Sequence, residues 1–162
     1  FWFIRYSVTN RTGQDQIFVP DFTLYTDGGQ ILPAQKGVVP AVFRAIREVY
    51  NDPMLKDSTG MVGKLLQGED NAKDGVAIFR DFDPSAGTVE LFIGGLCGDT
   101  KEVKLPTPVV VTQLDRKGNR VKVTQDKVIL SRMLHLKYRI VTDRASGQRV
   151  RLALVEKNWV MR

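Results

Sequence analysis

The chain opens on an alternation with a period of two. Across Trp2–Thr9 one face collects Trp2, Ile4, Tyr6 and Val8 and the other Phe3, Arg5, Ser7 and Thr9, the pattern of a strand with one buried face. Asn10-Arg11-Thr12-Gly13-Gln14-Asp15 then reads as a turn, since Asn and Gly tolerate positive φ and the Asn side chain bonds its own backbone. Apolar positions resume at Phe18, Phe22 and Leu24, and Asp27-Gly28-Gly29 closes the second strand region.

The β rhythm breaks once. Pro40 stands where the first residue of a helix belongs, and Val42, Ile46 and Val49, flanked by Phe43 and Tyr50, recur at helical spacing above Arg44, Arg47 and Glu48. Asn51-Asp52-Pro53 stops the run. The spacing predicts one principal helix within about 39–51, inside an insertion of about 38–66, and a helix this short needs an apolar surface to pack on. The expected surface is an open end of the core.

Strand signals return at Gly75–Phe82, where Val76, Ile78 and Arg80 oppose Ala77, Phe79 and Asp81, and at Thr88–Ile93 beyond the turn Asp83-Pro84-Ser85-Ala86-Gly87. Pro106-Thr107-Pro108 reads as a hinge. Val109–Gln113 and Arg120–Thr124 flank Asp115-Arg116-Lys117-Gly118-Asn119, a hairpin turn. Along Lys127–Ile140 one face carries Val128, Leu130, Leu134, Leu136, Tyr138 and Ile140, and the other Lys127, Ser131, His135, Lys137 and Arg139. Val150–Met161 is the last strand. Trp2, Tyr6, Phe22, Leu24, Ile78, Phe79, Leu91, Leu134 and Leu136 are the expected core.

Two stretches carry a resemblance. Tyr6-Ser7-Val8-Thr9-Asn10-Arg11-Thr12-Gly13, followed by Val19-Pro20-Asp21-Phe22-Thr23-Leu24 and Asp27-Gly28-Gly29, and later Leu66-Gln67-Gly68-Glu69 leading into Gly75-Val76-Ala77-Ile78-Phe79, resemble the immunoglobulin-like domains of uncharacterised bacterial secreted proteins and lipoproteins. The likeness spans roughly residues 2 to 96. It implies a mainly β, immunoglobulin-like sandwich and an extracytoplasmic setting, periplasmic or secreted, and brings no catalytic residues with it. The expected organisation is one domain, with an immunoglobulin-like part over 1–105 that holds the helical insertion, and a basic β-hairpin extension over 106–162.

A chain of 162 residues with 43% hydrophobic content can bury one ordinary core. No apolar run approaches the length of a membrane-spanning helix. A start at Phe1 without Met reads as a trimmed or mature fragment, in which any targeting signal is expected to be gone already. Charge is the outward-pointing feature. Residues 1–115 hold 11 Lys/Arg against 15 Asp/Glu, while residues 116–162 hold 13 against 3, and such asymmetry points to an anionic partner such as an acidic protein or envelope polymer. The candidate binding residues are Arg120, Lys122, Lys137, Arg139, Arg149, Arg151 and Lys157, expected along one exposed sheet face. Solvated strand faces account for the same charge, because Lys and Arg also guard exposed edges.

The chemical candidates are sparse. Cys97 is the only cysteine and His135 the only histidine, and no recognised spacing ties the thiol to a base. Asp81 and Asp83, two apart in a strand, would share a face and with Asp74 or Asp99 meet a hard cation, but without the loop of a known calcium site. Asn10-Arg11-Thr12 matches a glycosylation sequon that the turn explains as well. His135 reads as an exposed strand residue, and Trp159 as sharing a face with Arg151 and Lys157. One aromatic on a basic face is too few for a nucleic-acid platform. The expectation is a non-catalytic, extracytoplasmic interaction or structural module with no cofactor and no metal. A hydrolase using Asp81/Asp83 or Cys97/His135, and a nucleic-acid-binding domain using the basic third, are the alternatives.

Overall fold

The computed structural model describes residues 1–143 and 149–162. It is mainly β, and its elements are β1 (Trp2–Asn10), β2 (Gln16–Phe18), β3 (Asp21–Thr26), β4 (Ile31–Pro33), α1 (Pro40–Val49), α2 (Ser58–Met61), β5 (Gly63–Leu65), β6 (Gly68–Phe79), β7 (Thr88–Gly94), β8 (Thr100–Leu114), β9 (Arg120–Asp143) and β10 (Arg149–Met161). No helix among the described residues is long and apolar enough to cross a membrane.

Three layers follow from the alternation. A six-stranded antiparallel sheet runs β10-β9-β7-β3-β4, with β8 attached to β9. Against its inner face lies a two-stranded sheet, β1 with β6. Trp2, Ile4, Tyr6, Ala77 and Phe79 from this pair pack on Phe22, Leu24, Leu91, Leu134 and Leu136 from the large sheet. The far face of the pair is buried too. Val76 and Ile78 lie under α1, which lays Val42, Phe43 and Ile46 on them beside Leu55. The helix therefore covers a sheet face, where the sequence placed it over an open end of the core. This explains why Val76-Ala77-Ile78-Phe79 is a continuous apolar run, all four residues being fully buried.

Helix boundaries follow local chemistry. Pro40 occupies the first turn and Val39, the N-cap, offers no side-chain bond. Asn51 adopts φ +47° just past the end, and Asp52 Oδ1 accepts from the amides of Met54 and Leu55 while its Oδ2 accepts from Arg5 at 3.0 Å. The turn after β1 is also side-chain built: Asn10, 3% exposed, donates to the carbonyls of Gln14 and Leu65 and accepts from the amide and hydroxyl of Thr12. An Asn so enclosed is a structural element rather than a glycan acceptor.

Two boundaries expected from sequence move. Pro106-Thr107-Pro108 is no hinge between parts but lies within β8, where the pairing to β9 slips between Lys104 and Val109, because Pro has no amide to donate to the ladder. Nor does residue 106 begin a separate extension: residues 134–139 of β9 pair with β7, β10 pairs with β9, and Leu134, Leu136, Tyr138, Ile140 and Leu152 pack on the core. Among the described residues of the last third, only the arm formed by β8 and the first half of β9 lies outside the packed sheets.

Tyr6 sits at the junction of the core clusters, with its hydroxyl buried and making no hydrogen bond among the described residues. Burial, reinforced by the negative charge of Asp57, raises its phenol to about 12. The folded state therefore keeps a proton that the unfolded chain loses near pH 10, so this contribution is complete below pH 10 and is lost as pH climbs towards 12. Urea midpoints measured against pH should fall over this window in the native chain, and less in Tyr6→Phe, which keeps the ring and removes the titrating group.

Candidate functional site

The structure directs attention to the hairpin arm. Thr100–Lys104 pairs with Lys127–Ser131, and Val109–Leu114 pairs with Arg120–Gln125. At about 3.3 Å per residue, the twelve residues of β9 from Arg120 to Ser131 reach roughly 40 Å. β8 has β9 as its sole partner strand among the described residues, and β10 meets β9 only from Arg132 onward. The distal half is thus a two-stranded ribbon.

Its tip is built by Asp115. The carboxylate accepts from the amides of Lys117 and Asn119 at 2.8 Å and from the Asn119 side chain at 3.1 Å, while Gly118 turns the chain at φ +82°. The Asn119 backbone amide, then its side chain, hold the Asp115 carboxyl below its ordinary value, so the one acid of the tip is ionised and committed to the turn. Arg116, Lys117, Arg120 and Lys122 surround it, and none forms an ion pair among the described residues. At the base, by contrast, Lys127 is paired with Glu102 at 3.0 Å.

One face of the distal ribbon is apolar and uncharged, and the other mixes charge with exposed apolar side chains. Register places Val109, Val111, Val121 and Val123 on one face, and Val110 and Leu114 with Arg120 and Lys122 on the other. Val110 is 64% and Leu114 69% exposed. A free two-stranded hairpin has no layer to cover such groups. Clustered cations beside uncovered aliphatic side chains form a surface suited to docking rather than to solvent alone.

The other expected cations are distributed by register. Lys137 stands between Glu90 and Glu156, and Arg139 between Thr88 and Ala153, on the outer face of the large sheet, which Arg151 shares opposite Val141. Lys157 does not join them. The pairing slips between Leu154 and Glu156, a one-residue bulge that moves every later side chain to the opposite face. Lys157 and Trp159 consequently pair with Leu136 and Leu134 on the inner face, where the sequence put Trp159 with Arg151. Arg149 begins β10, and its side chain lies outside the described residues. Six of the seven residues expected in one row therefore occupy the arm (Arg120, Lys122), the outer sheet face (Lys137, Arg139, Arg151) and the inner face (Lys157).

Sequence reasoning missed Arg162, and the burial of His135, on that outer face. The Arg162 guanidinium lies 4.0 Å from the Tyr25 ring centre and 4.1 Å from that of Phe92, a cation–π stack. His135, expected to be exposed, is 8% exposed. Its ring stacks on Phe92 at 4.7 Å, Nδ1 faces Asn158 Oδ1 at 2.8 Å and Nε2 faces Glu90 Oε2 at 3.0 Å. Only the pairing of β7, β9 and β10 reveals these neighbours. With both nitrogens engaged, the ring is held as a structural group.

The remaining constellations do not converge. Asp81 and Asp83 lie beyond the end of β6 in a loop, not in a strand: Asp81 Oδ1 accepts from Trp2 Nε1 at 2.8 Å, and Asp83 Oδ1 accepts from the amide and hydroxyl of Ser85. Asp99 is paired with Arg132 at 2.9 Å. Among the described residues no three His, Cys, Asp or Glu side chains meet as metal ligands. Cys97 is exposed on the loop after β7, its thiol 3.6 Å from the Arg132 carbonyl. The open cavity it borders, about 470 Å³, is lined by Thr12, Gln16, Ile17, Val19 and the 95–98 loop, so no side-chain base stands there. Compared with family models, with curated proteins and with solved structures, the chain finds no match.

Proposed function

We propose that this chain is a non-catalytic interaction module, an immunoglobulin-like β-sandwich working outside the cytoplasm, that docks on an anionic partner through the tip of its β8–β9 arm. One observation carries the reading. Arg116, Lys117, Arg120 and Lys122 are grouped at the end of a projecting ribbon whose only nearby acid, Asp115, is committed to the turn. Polyanions reward such an array by releasing counterions, and the neighbouring Val110 and Leu114 add apolar contact once the tip has docked. The resemblance to secreted bacterial domains supports the compartment. The outer sheet face is the weaker docking surface, because Lys137 shares Glu90 with His135 and Arg162 is already stacked on two rings.

Retention on heparin and on anionic vesicles tests this. The native protein should bind at low salt and elute steeply as salt rises. Changing Arg116, Lys117, Arg120 and Lys122 to Ser should abolish most of the retention, each lost contact lowering the salt slope by roughly 0.7–0.9. Changing Lys137, Arg139 and Arg151 to Ser should remove less. Equal retention of the arm variant and the native protein would overturn the proposal, and loss confined to the sheet-face variant would transfer the role to that face.

A further inference from the structure

The two packed sheets are unequal, and the inequality leaves an open seam. β1 pairs with β6 on one edge only, and no backbone partner occupies the other edge among the described residues. Two clefts run along that free edge. One, of about 430 Å³, is walled by the consecutive residues Phe1, Trp2, Phe3 and Ile4, and across from them by Tyr138, Arg151 and Leu152. The second, of about 280 Å³, is walled by Ile4 through Val8 and floored by Phe22, Leu91, Ile93, Leu134, Leu136 and Tyr138. Ile4 and Tyr138 border both, so the clefts form one seam along nearly all of β1. Consecutive strand residues line it because what faces the seam is the backbone edge itself, with unpaired amides and carbonyls, above an aliphatic floor.

Such an edge is a template for another strand. We propose that the seam binds an extended peptide segment of a protein partner, added as a third strand beside β1, with apolar residues alternating with acidic ones. The period of two directs every second side chain onto the floor of Leu134, Leu136 and Tyr138. The intervening side chains meet the rim. There Arg151 borders one end from β10, although its side chain leaves on the outer face, Lys157 stands beside Leu136 on the inner face of the large sheet, and no Asp or Glu among the described residues lines either cleft. This charge argues against a second copy's arm as the occupant, since residues 100–131 hold seven Lys/Arg against three Asp/Glu. The wall at the Trp2 end is preformed: the indole donates to Asp81 and stacks on Phe82 at 4.8 Å. This site is separate from the arm and does not depend on the role proposed for it.

Trp2 supplies the signal for a test. In a Trp159→Phe background, Trp2 is the only remaining indole. A synthetic peptide alternating valine with glutamate should shift its emission and protect β1 amides from hydrogen exchange. A peptide alternating valine with lysine, and one with the first peptide's residues in scrambled order, should bind more weakly. N-methylation of alternate residues, which removes donors without changing side chains, should abolish binding if the strand pairs through its backbone. Reversing the exposed rim charges with Arg151→Glu and Lys157→Glu should weaken the glutamate peptide about tenfold, while Ser substitutions at the arm tip leave it unchanged. Equal binding of alternating and scrambled peptides, no protection of Ile4–Val8, or self-association of the native chain through β1 would each overturn the assignment.

Discussion

Gly95→Ala should lower the unfolding free energy by about 3–5 kcal/mol, one of the two largest single-residue effects expected in this chain. Gly95 holds φ +80° immediately after β7, and a Cβ there would lie 2.1 Å from the Val19 carbonyl oxygen and 3.0 Å from its carbon. Two costs add. A left-handed conformation at a residue with a Cβ costs on the order of 1–3 kcal/mol, and pushing apart two backbone segments that must stay packed costs about as much again. A flexible side chain could swing aside, but the Val19 backbone is fixed between β2 and β3. Gly98, in the same loop, is the internal control: its φ is ordinary and nothing lies within 4 Å of an added Cβ. Gly98→Ala should therefore unfold at nearly the native urea midpoint, and equal midpoints for Gly95→Ala and the native chain would disprove the contact.

Phe79→Ala should cost a similar 3–5 kcal/mol. Phe79 is the largest fully buried side chain among the described residues, standing at the end of β6 opposite Trp2 and among Phe22, Leu24 and Leu91. The surrounding side chains are held by two hydrogen-bonded sheets packed face to face, so the cavity has little means of collapse. Folded domains have only about 5–15 kcal/mol in reserve, and loss of this ring should therefore show as a clear drop in thermal and urea midpoints. Phe79→Leu keeps most of the volume and should cost no more than about 1.5 kcal/mol. A change in urea midpoint of the same size for both variants would mean that ring volume is not what stabilises the site.

The alternation in Trp2–Thr9 assigned Trp2, Ile4, Tyr6 and Val8 to one face correctly because side-chain direction in a strand is a local property. The helix was legible for the same reason, since Pro40 and Asn51 act on their own turns. The site was less legible. Val109-Val110-Val111 has the composition of a core strand, and nothing local says that no layer packs on it; Arg120 and Lys122 were picked out by charge, but their place at the end of a projecting ribbon depends on where β10 ceases to pair. Lys157 and Trp159 were put on the wrong face because strict alternation was carried through Val155, and a bulge is a property of the pair of strands, not of one. His135 looked exposed because Glu90 and Asn158 reach it from other strands.

What the sequence determined by itself is the long strands and most of their apolar faces, the principal helix, the turns at Asn10 and Asp115, and the basic balance of the last third, all consequences of chemistry acting within a few residues. Tertiary structure alone decided that β1 would meet β6 and leave its other edge open, that α1 would cover Val76 and Ile78, that β9 would be shared between the sheet and the arm, and that six of the seven candidate cations would divide among three surfaces. Each of these depends on pairing between segments distant in the chain. Such pairing is selected by the burial available to the whole fold, and no local periodicity encodes it.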